Sequence, residues 1–248
     1  MKGCYYGDCF AGKGGVSRSI VKLGFPARRW EINDGPCGDL TKRRNMSVIK
    51  SDNKTGKLKG GMLAPPCSSF SIARDRTGVI RTRDRPYGVD NVSEADAQRL
   101  KIGNDTAAAA ITIAMLLHKA GLPWVLENPK SSKMWWLPRM IRLSKMANVT
   151  AVTTDFCMFG KPWRKRTQLL TGNLCEEERA RLCRLCHGSR GFCQRTGQKH
   201  LQLTGSSPSG QPWTAIAQPY PAALCEQLAF VLTERAREQH LAKLSKYC

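Results

Sequence analysis

The sequence predicts an α/β fold in which helices cover both faces of an open sheet. Three observations lead to this prediction. An apolar run at 62–64 ends in two prolines and Cys67; because proline cannot continue a strand ladder, the thiol falls at the carboxyl end of a strand. A strand, a glycine-rich turn and a helix follow one another at 3–23, and an apolar strand at 122–129 contains Glu127 near its end. Open α/β sheets place ligands at this edge.

Composition limits the class of partner. The 248 residues are enough for one large domain, or a domain with a small appendage. Forty Lys and Arg against 19 Asp and Glu give a formal charge of +21, which favours a nucleic-acid partner. We expect no membrane partner, because no segment approaches the roughly 20 apolar residues of a span.

The cysteine content and the amino terminus bear on the compartment. Eleven cysteines are spread over the chain, and several lie in segments predicted to be core or active site. This pattern favours a reducing intracellular compartment, nucleus or cytoplasm, over a secreted disulfide framework. The first eight residues lack an apolar stretch, so we expect no signal peptide.

The first strand, turn and helix are typical of a nucleotide-type fold. Strand 3–8 leads into glycines at 12–15 and a helix at 17–23, although a tight turn without a ligand is equally consistent with this pattern. A second strand, 28–32, contains Glu31 about twenty residues after the glycines, where such folds place a carboxylate on ribose hydroxyls. Asp39 follows at a strand-to-loop junction, either as a ligand contact or as an ordinary turn aspartate.

The segments on either side of the Cys67 strand are basic. Residues 41–60 are turn-rich and are predicted to be surface. Residues 68–103 are predicted to form a long loop, which compact domains usually reserve for function or leave disordered. Its arginines favour a mobile arm that closes over phosphates, and a solvated loop is the alternative. These residues are Arg74, Arg76, Arg81, Arg83 and Arg85.

The remaining elements follow from caps and periodicity. A helix at 106–120 begins after Asn104 or Asp105 and is ended by Gly121. A helix is expected from Pro138, a β-branched strand at 150–156 and an amphipathic helix at 221–243 that covers the sheet. The apolar stripe of that last helix is Leu224, Leu228, Val231, Leu232 and Leu241.

A basic triplet and a Cys/His-rich stretch complete the pattern. Arg164, Lys165 and Arg166 stand between a Gly-Pro turn and an apolar strand, where positive groups could hold a base edge or a phosphate. Residues 173–211 are predicted to be a small insert into a catalytic domain formed by 1–172 and 212–248. The insert is compatible either with one structural zinc or with free thiols in a basic loop. The candidate ligands are Cys183, Cys186, Cys193 and His200.

Three motifs in order carry a resemblance to a known family. They are Asp-x-Phe-x-Gly-x-Gly-Gly at 8–15, Pro-Pro-Cys-Ser-Ser-Phe-Ser at 65–71 and Glu-Asn-Pro at 127–129. The chain thereby resembles the cytosine C5 DNA methyltransferases over residues 7–172 and again from about 213 to 232. The resemblance implies a Rossmann-like methyltransferase sheet, S-adenosylmethionine as methyl donor and DNA as partner, and we expect a monomer.

The resemblance also assigns residues to the cofactor. It places Phe10 against adenine, Glu31 on the ribose hydroxyls and Asp39 toward the adenine amino group. The glycine loop lies at the methionine part. The implied contacts are Phe10, Gly12, Gly14, Glu31, Asp39 and Pro66.

The implied chemistry explains these residue types. C5 of cytosine becomes nucleophilic only after a thiolate has added at C6, which is the predicted role of Cys67 on a flipped-out base. Positive charge from the arginine-rich segments is expected to increase the thiolate fraction of Cys67. Glu127 is expected to protonate N3 from a partly buried site that raises its pKa. Lys165 is the third candidate catalytic residue.

The chain departs from the family pattern in two motifs. Lys165 and Thr167 stand where the family has alternating arginines, and Gly-Asn is missing before the final Tyr220-Pro221. Two alternatives therefore stay open. One is an RNA (tRNA) cytosine methyltransferase, and the other is a nucleic-acid-binding homologue without catalysis.

Overall fold

A computed structural model describes residues 3–244, with side chains for residues 3–239. Six strands form one sheet in the order β2-β1-β3-β4-β6-β5. The strands are β1 (Tyr5–Cys9), β2 (Ala27–Trp30), β3 (Leu58–Leu63), β4 (Trp124–Pro129), β5 (Val149–Asp155) and β6 (Arg166–Gly172). The helices are α1 (Gly15–Lys22), α2 (Arg43–Lys54), α3 (Glu94–Lys119), α4 (Pro138–Ser144), α5 (Glu176–Leu182), α6 (Trp213–Ile216) and α7 (Ala222–Leu244).

The strand order places one crevice at the carboxyl edge of the sheet. Strands β2, β1, β3 and β4 are parallel, whereas β6 runs antiparallel to its neighbours β4 and β5. From β1 the chain crosses to β2 on one side and then returns to β3 on the other. The loops after β1 and β3 therefore diverge at a topological switch point, where open α/β sheets bind ligands.

Helices cover both faces of this sheet, as predicted. Successive strand residues point to opposite faces, so Leu63 and Leu126 join one core while Met62 and Val125 join the other. Helices α2, α3 and α4 supply the first core, and α1, α5 and α7 supply the second. The predicted α/β, Rossmann-like fold class is confirmed.

Two helices differ from the prediction. The segment 41–60, expected to be turn-rich surface, contains α2, in which the fully buried Ile49 packs beneath mostly polar neighbours. Helix α3 begins at Glu94, inside the segment 68–103 that was expected to be a loop. Its cap is Ser93, whose hydroxyl accepts a hydrogen bond from the Asp96 N–H at 3.2 Å.

Gly103 explains why the sequence predicts a later start for α3. Glycine weakens a helix by about 1 kcal/mol relative to alanine, so a helix signal is expected to fade there. In the structure, a Cβ on Gly103 would lie 2.1 Å from Ser69 Oγ and 3.0 Å from Arg81 Nη2. Packing against the Cys67 loop therefore requires glycine at this position.

Helix α3 also bears on the expectation that no segment could span a membrane. By length and composition alone it is apolar and long enough to do so, which the sequence reading missed. Its alanine-rich and leucine-rich part packs in the first core.

Helix α7 covers the opposite face of the sheet. Its residues Leu224, Leu228, Val231 and Leu232 are buried, as the predicted apolar stripe requires. Leu241 lies outside the residues whose side chains are described.

We predict that Gly103→Ala destabilises the protein by about 1–3 kcal/mol, because the added methyl group displaces the Ser69 hydroxyl from its bond to Arg81. This loss should exceed the helix-propensity gain of about 1 kcal/mol. Urea unfolding followed by circular dichroism measures the difference. The matched control is Gly7→Ala, where a Cβ would make ordinary contacts at 3.5 Å or more; equal effects of the two substitutions would contradict the packing argument.

Candidate functional site

Cys67 and Glu127 lie at the ends of adjacent parallel strands. Leu63 on β3 is paired with Leu126 on β4, so the loop after β3 emerges beside Glu127. The neighbouring Asn128 ties that loop down, since its side-chain amide donates a 2.9 Å hydrogen bond to the Pro65 carbonyl. Asn128 therefore holds the backbone two residues before the thiol.

Glu127 is a buried carboxyl group with one side-chain partner among the described residues. The Tyr220 hydroxyl donates to its Oε2 at 2.8 Å, while its buried Oε1 has no hydrogen-bond partner in the described part of the chain. Burial raises the pKa of Glu127, and Lys165 and the Tyr220 hydrogen bond act in the opposite direction. The pKa of this carboxyl group is therefore raised above its ordinary value by burial, and its Oε1 is available to a ligand.

Lys165 reaches this site from the residue before β6. Its backbone has a positive φ of 28°, and its ammonium group donates to the Ala217 carbonyl at 3.0 Å. The ammonium also lies 4.7 Å from the centre of the Phe156 ring. Its charge lowers the pKa of both Cys67 and Glu127, which places the three predicted catalytic side chains in one electrostatic group.

The thiol itself is not activated in the way expected from the sequence. Burial raises the pKa of Cys67 and Glu127 raises it further, whereas Lys165 lowers it only in part. The expectation that the arginine-rich segments activate the thiol is wrong in this structure, because the nearby cation is Lys165 and desolvation outweighs it. The unliganded protein therefore holds Cys67 as a thiol at neutral pH.

The glycine-rich loop lies at the switch point beside this group. Phe10, Gly12 and Gly14 all have positive φ values, of 58°, 51° and 65°. Gly12 donates its N–H to Glu31 Oε2 at 2.7 Å, while Oε1 of Glu31 accepts from the Asn33 side chain at 2.9 Å. Oε1 also accepts from the Asn33 backbone N–H at 3.3 Å. Glu31 thus holds the loop, and its Oε2 retains a further lone pair for a ligand.

Three other residues around this loop differ in their exposure and in the hydrogen bonds that they already make. Asp39 Oδ1 accepts from the backbone N–H of Thr41 at 2.9 Å and from its hydroxyl at 2.6 Å, so it also serves as a turn aspartate. Pro66 is exposed in the loop before the thiol. Ile32 is 64 % exposed directly after Glu31, an apolar side chain that the sequence reading did not single out.

Asp8, at the end of β1, is a second buried acid. Its carboxylate accepts a 2.9 Å hydrogen bond from Ser17 N–H in the first turn of α1. Burial raises its pKa to about 6 in spite of that bond. Asp8, Asn128 and Tyr220 support the site but were not among the predicted site residues. Asp8 and Asn128 belong to the motifs at 8–15 and 127–129, and Tyr220 precedes the last helix, so all three had a sequence signal.

Arg81 does not have the predicted role. It is completely buried, bonded to Ser69, Pro86 and Asn104, and its guanidinium carbon lies 3.9 Å from the centre of the Phe70 ring. The prediction that Arg81 contacts nucleic acid is therefore wrong. In this structure Arg81 anchors the segment after Cys67. The arginine belongs to the fold because five backbone and side-chain acceptors surround it.

The other four arginines of this segment lie nearer to solvent. Arg74 pairs with Asp96 of α3, and Arg85 pairs with Asp90. Arg83 is exposed beside the Trp136 ring, and Arg76 is exposed. Their proposed contacts with nucleic acid stay predictions.

The basic triplet is divided between two tasks. Arg164 and Arg166 both pair with the buried Asp155, at 3.3 and 2.8 Å. Although burial alone would raise it, Arg166, the Cys186 N–H and Arg164 hold the pKa of Asp155 below its ordinary value. A cleft of about 390 Å³ opens beside Lys165 and Arg166 and is also lined by Lys130. Arg164 and Arg166, which were predicted to contact nucleic acid, are therefore already partly paired with Asp155.

The Cys/His cluster has a different membership from the predicted one. Ligand atoms of Cys157, Cys186, Cys193 and His200 all lie within 4.8 Å of one another, and all four residues are buried. Cys183 is exposed at the end of α5 and is not part of this group, so its assignment as a ligand is wrong. The fourth member, Cys157, comes from the turn between β5 and β6, outside the insert, where spacing within 173–211 could not reveal it.

The comparisons with known proteins concern the fold. No model of a known protein family matches the chain, and no curated protein matches it. Solved structures similar to it include the Entamoeba histolytica methyltransferase EhMeth (11 % identity, TM-score 0.41) and S. pombe Dnmt2 methyltransferase (11 %, 0.39). A third is a proposed DNA modification methyltransferase encoded within an E. coli prophage (13 %, 0.39).

The similarity is partial in extent. The alignments cover 71, 69 and 81 % of this chain and 54, 50 and 53 % of the other chains, so the chain spans about half the length of those proteins. At this identity the likeness concerns the arrangement of strands and helices, and the site stands on its own geometry.

We predict that the pH dependence of Cys67 alkylation reports the charges around it. Reaction with iodoacetamide, followed by peptide mass spectrometry, should show a midpoint above that of an ordinary cysteine. Glu127→Gln should lower this midpoint, because it removes a negative charge that opposes the thiolate, and Lys165→Met should raise it.

The exposed Cys183 serves as the internal control, since its alkylation should not differ between these variants. A midpoint that is the same in the wild type and both variants would show that the three side chains are not electrostatically coupled.

Proposed function

We propose that this chain transfers a methyl group from S-adenosylmethionine to C5 of cytosine in DNA. The observation that carries the proposal is the convergence of three side chains at one edge of the sheet: Cys67 after β3, Glu127 on β4, and Lys165 just before the antiparallel β6. This group combines a nucleophile, a buried acid whose pKa is raised by burial, and a cation beside a glycine-rich loop. The resemblance of the motifs and the methyltransferase names of the similar structures agree with it.

The residues of this chain account for the activation of the base. The Cys67 thiol loses its proton to solvent, and Sγ adds to C6 of cytosine as a thiolate. The displaced electron pair moves toward N3, where Glu127 donates its proton, so that C5 becomes the nucleophilic carbon of an enamine. The unpartnered Glu127 Oε1 is suited to meet N3, because its burial keeps water from competing.

The product is released by reversing the addition. When bound, S-adenosylmethionine supplies the methyl group that C5 accepts. The C5 proton then passes to water, the C6–S bond breaks, and Cys67 leaves as the thiolate. The proton on N3 returns to Glu127, so the acid and the nucleophile are both regenerated.

The glycine-rich loop fits a methyl donor of this kind. A Cβ on Gly12 would meet no heavy atom within 4 Å, so the backbone lies open at the switch point. Phe10 and the exposed Ile32 offer apolar contacts for the adenine, and Glu31 and Asp39 keep acceptor capacity for hydroxyl and amino groups. Gly14 and Pro66 complete the proposed contacts.

The charge of the chain and the Cys67 thiol bear on the proposed substrate and compartment. The +21 charge suits a nucleic-acid polyanion, with the exposed Arg76 and Arg83 as contacts in the segment behind Cys67. Because the base must leave the helical stack to reach Cys67, the substrate is a flipped-out cytosine. We propose that the chain acts as a monomer in a reducing intracellular compartment, where Cys67 stays reduced.

We predict that Cys67→Ser and Cys67→Ala abolish methyl transfer and leave binding of S-adenosylmethionine largely unchanged. Transfer of a labelled methyl group to duplex DNA measures the first property, and calorimetric binding of the donor measures the second. Activity in either variant at the wild-type level would overturn the covalent mechanism.

We predict that Glu127→Gln lowers the rate of methyl transfer by a factor on the order of 10²–10⁴, because the amide cannot protonate N3. Glutamine keeps the size of the side chain and can still accept from Tyr220. A loss of less than about tenfold would argue against the acid role.

The alternatives are separated by substrate and by trapping. Equal amounts of duplex DNA and tRNA, incubated with the labelled donor, distinguish the DNA enzyme from an RNA enzyme. DNA containing 5-fluorocytosine distinguishes both from a protein that only binds, since fluorine at C5 cannot leave as a proton and the Cys67 adduct persists. Absence of both methylation and adduct would favour the binding protein.

A further inference from the structure

We propose that Cys157, Cys186, Cys193 and His200 bind one structural zinc ion, which fastens the Cys/His-rich insert to the turn that carries Lys165. The three thiols and one imidazole are buried, and their ligand atoms lie within 4.8 Å of one another. Cys₃His is an established ligand set for structural zinc, with four ligands in a tetrahedron. Thiolate ligands favour zinc over calcium or magnesium, which prefer oxygen ligands.

The backbone around these residues is arranged as a zinc ligand set requires. The Gln194 N–H points at Cys186 Sγ at 3.3 Å, so it can stabilise a thiolate there. Two further bonds shape the loop: Cys193 N–H to the Gln198 carbonyl at 2.7 Å, and His200 N–H to the Gly191 carbonyl at 2.8 Å. His200 Nε2 lies 3.7 Å from Cys186 Sγ, which brings the imidazole against the thiols.

Positive charge surrounds the cluster. Three thiolates and one Zn²⁺ carry a net charge of −1, which needs compensation in a buried site. Arg195 bonds to the Cys157 carbonyl at 2.8 Å, and Arg164 bonds to the Cys186 carbonyl at 2.7 Å. Arg195 thus places a positive charge next to Cys157, and Arg164, whose charge is shared with Asp155, lies next to Cys186.

The loop that contains the cluster has little regular secondary structure. Between α5 and α6 the structure describes turns and two isolated β-bridges, Phe192 with Lys199 and Ser206 with Pro212. Cys186 and Cys193 form a small cluster with Cys157, and Met158 packs against it, whereas most leucines of the insert pack against the second core. A metal ion supplies folding free energy to segments of this kind.

The position of Cys157 gives the metal its role. Cys157 lies in the turn between β5 and β6, and Lys165 ends that turn. Cys186 N–H also donates to Asp155 at 2.8 Å, and Leu201 N–H donates to the Pro162 carbonyl at 2.8 Å. Zinc would therefore hold residues 186–200 of the insert against the turn that ends at Lys165.

Metal analysis of the full chain tests the site. After expression with added zinc and dialysis, the wild type should contain about one equivalent of zinc. Cys157→Ser should retain less than about 0.2 equivalents, while the matched variant Cys183→Ser should keep the wild-type content. Wild-type zinc below about 0.2 equivalents, or equal losses in the two variants, would overturn the proposal.

Two further measurements test the site even if the Cys157→Ser variant does not fold. Cobalt substituted into the wild type should give the visible absorption of a tetrahedral thiolate site, and His200→Cys should strengthen the sulfur-to-cobalt charge-transfer band by adding a fourth thiolate. Chelation of zinc in the wild type should make Cys186 and Cys193 reactive to iodoacetamide, while the core Cys9 stays protected. A wild type whose Cys186 and Cys193 react equally with and without chelator would contradict the site. None of these readouts depends on methyl transfer.

Discussion

The organisation of the site depends on burying the Glu127 carboxyl group with one hydrogen-bond donor, Tyr220. A buried carboxylate is unfavourable unless it is well paired, so the group is stabilised in its protonated form. While it is ionised, the carboxylate disfavours a thiolate on Cys67. The constraint also fixes the fold around it, since Tyr220 must come from the segment before α7 and Lys165 from the residue before β6.

In the proposed reaction, this arrangement makes formation of the Cys67 thiolate depend on the bound substrate. In the unliganded protein, burial and Glu127 both disfavour the thiolate, and Lys165 compensates only in part. In the proposed reaction, addition to a cytosine ring transfers the developing charge to N3, where Glu127 neutralises it. On that mechanism the nucleophile is favoured when an acceptor ring is present, which limits its reaction with other electrophiles.

The features of the site that could be predicted from the sequence are those that depend on neighbouring residues in the chain. Prolines that end β3 placed Cys67 at the sheet edge, and an apolar run placed Glu127 beside it. Both inferences need only strand length and proline chemistry. The start of α3 could not be read in this way, because Gly103 weakens the helix signal for a packing reason that involves Ser69, far away in the chain.

Contacts between distant segments account for the other differences. Arg81 looked like a member of a solvated basic series, and nothing in its neighbours reveals that Ser69, Pro86 and Asn104 converge on it. Cys157 was invisible as a ligand candidate because its partners lie in another segment, whereas Cys183 fitted the short spacing by coincidence. Local spacing predicts a metal site well only when all its ligands belong to one segment.

The basic triplet shows why charge alone does not reveal a functional cation. Arg164 and Arg166 both turn to Asp155, which is fully buried and receives the Cys186 N–H as well, so these two arginines join the insert to the end of β5. Lys165 lies between them, and its positive φ directs it elsewhere. Its ammonium group, held by the Ala217 carbonyl and the Phe156 ring, is the member of the triplet that lowers the pKa of both Cys67 and Glu127. The paired arginines thus fix the turn, and the fixed turn determines where the lysine can act.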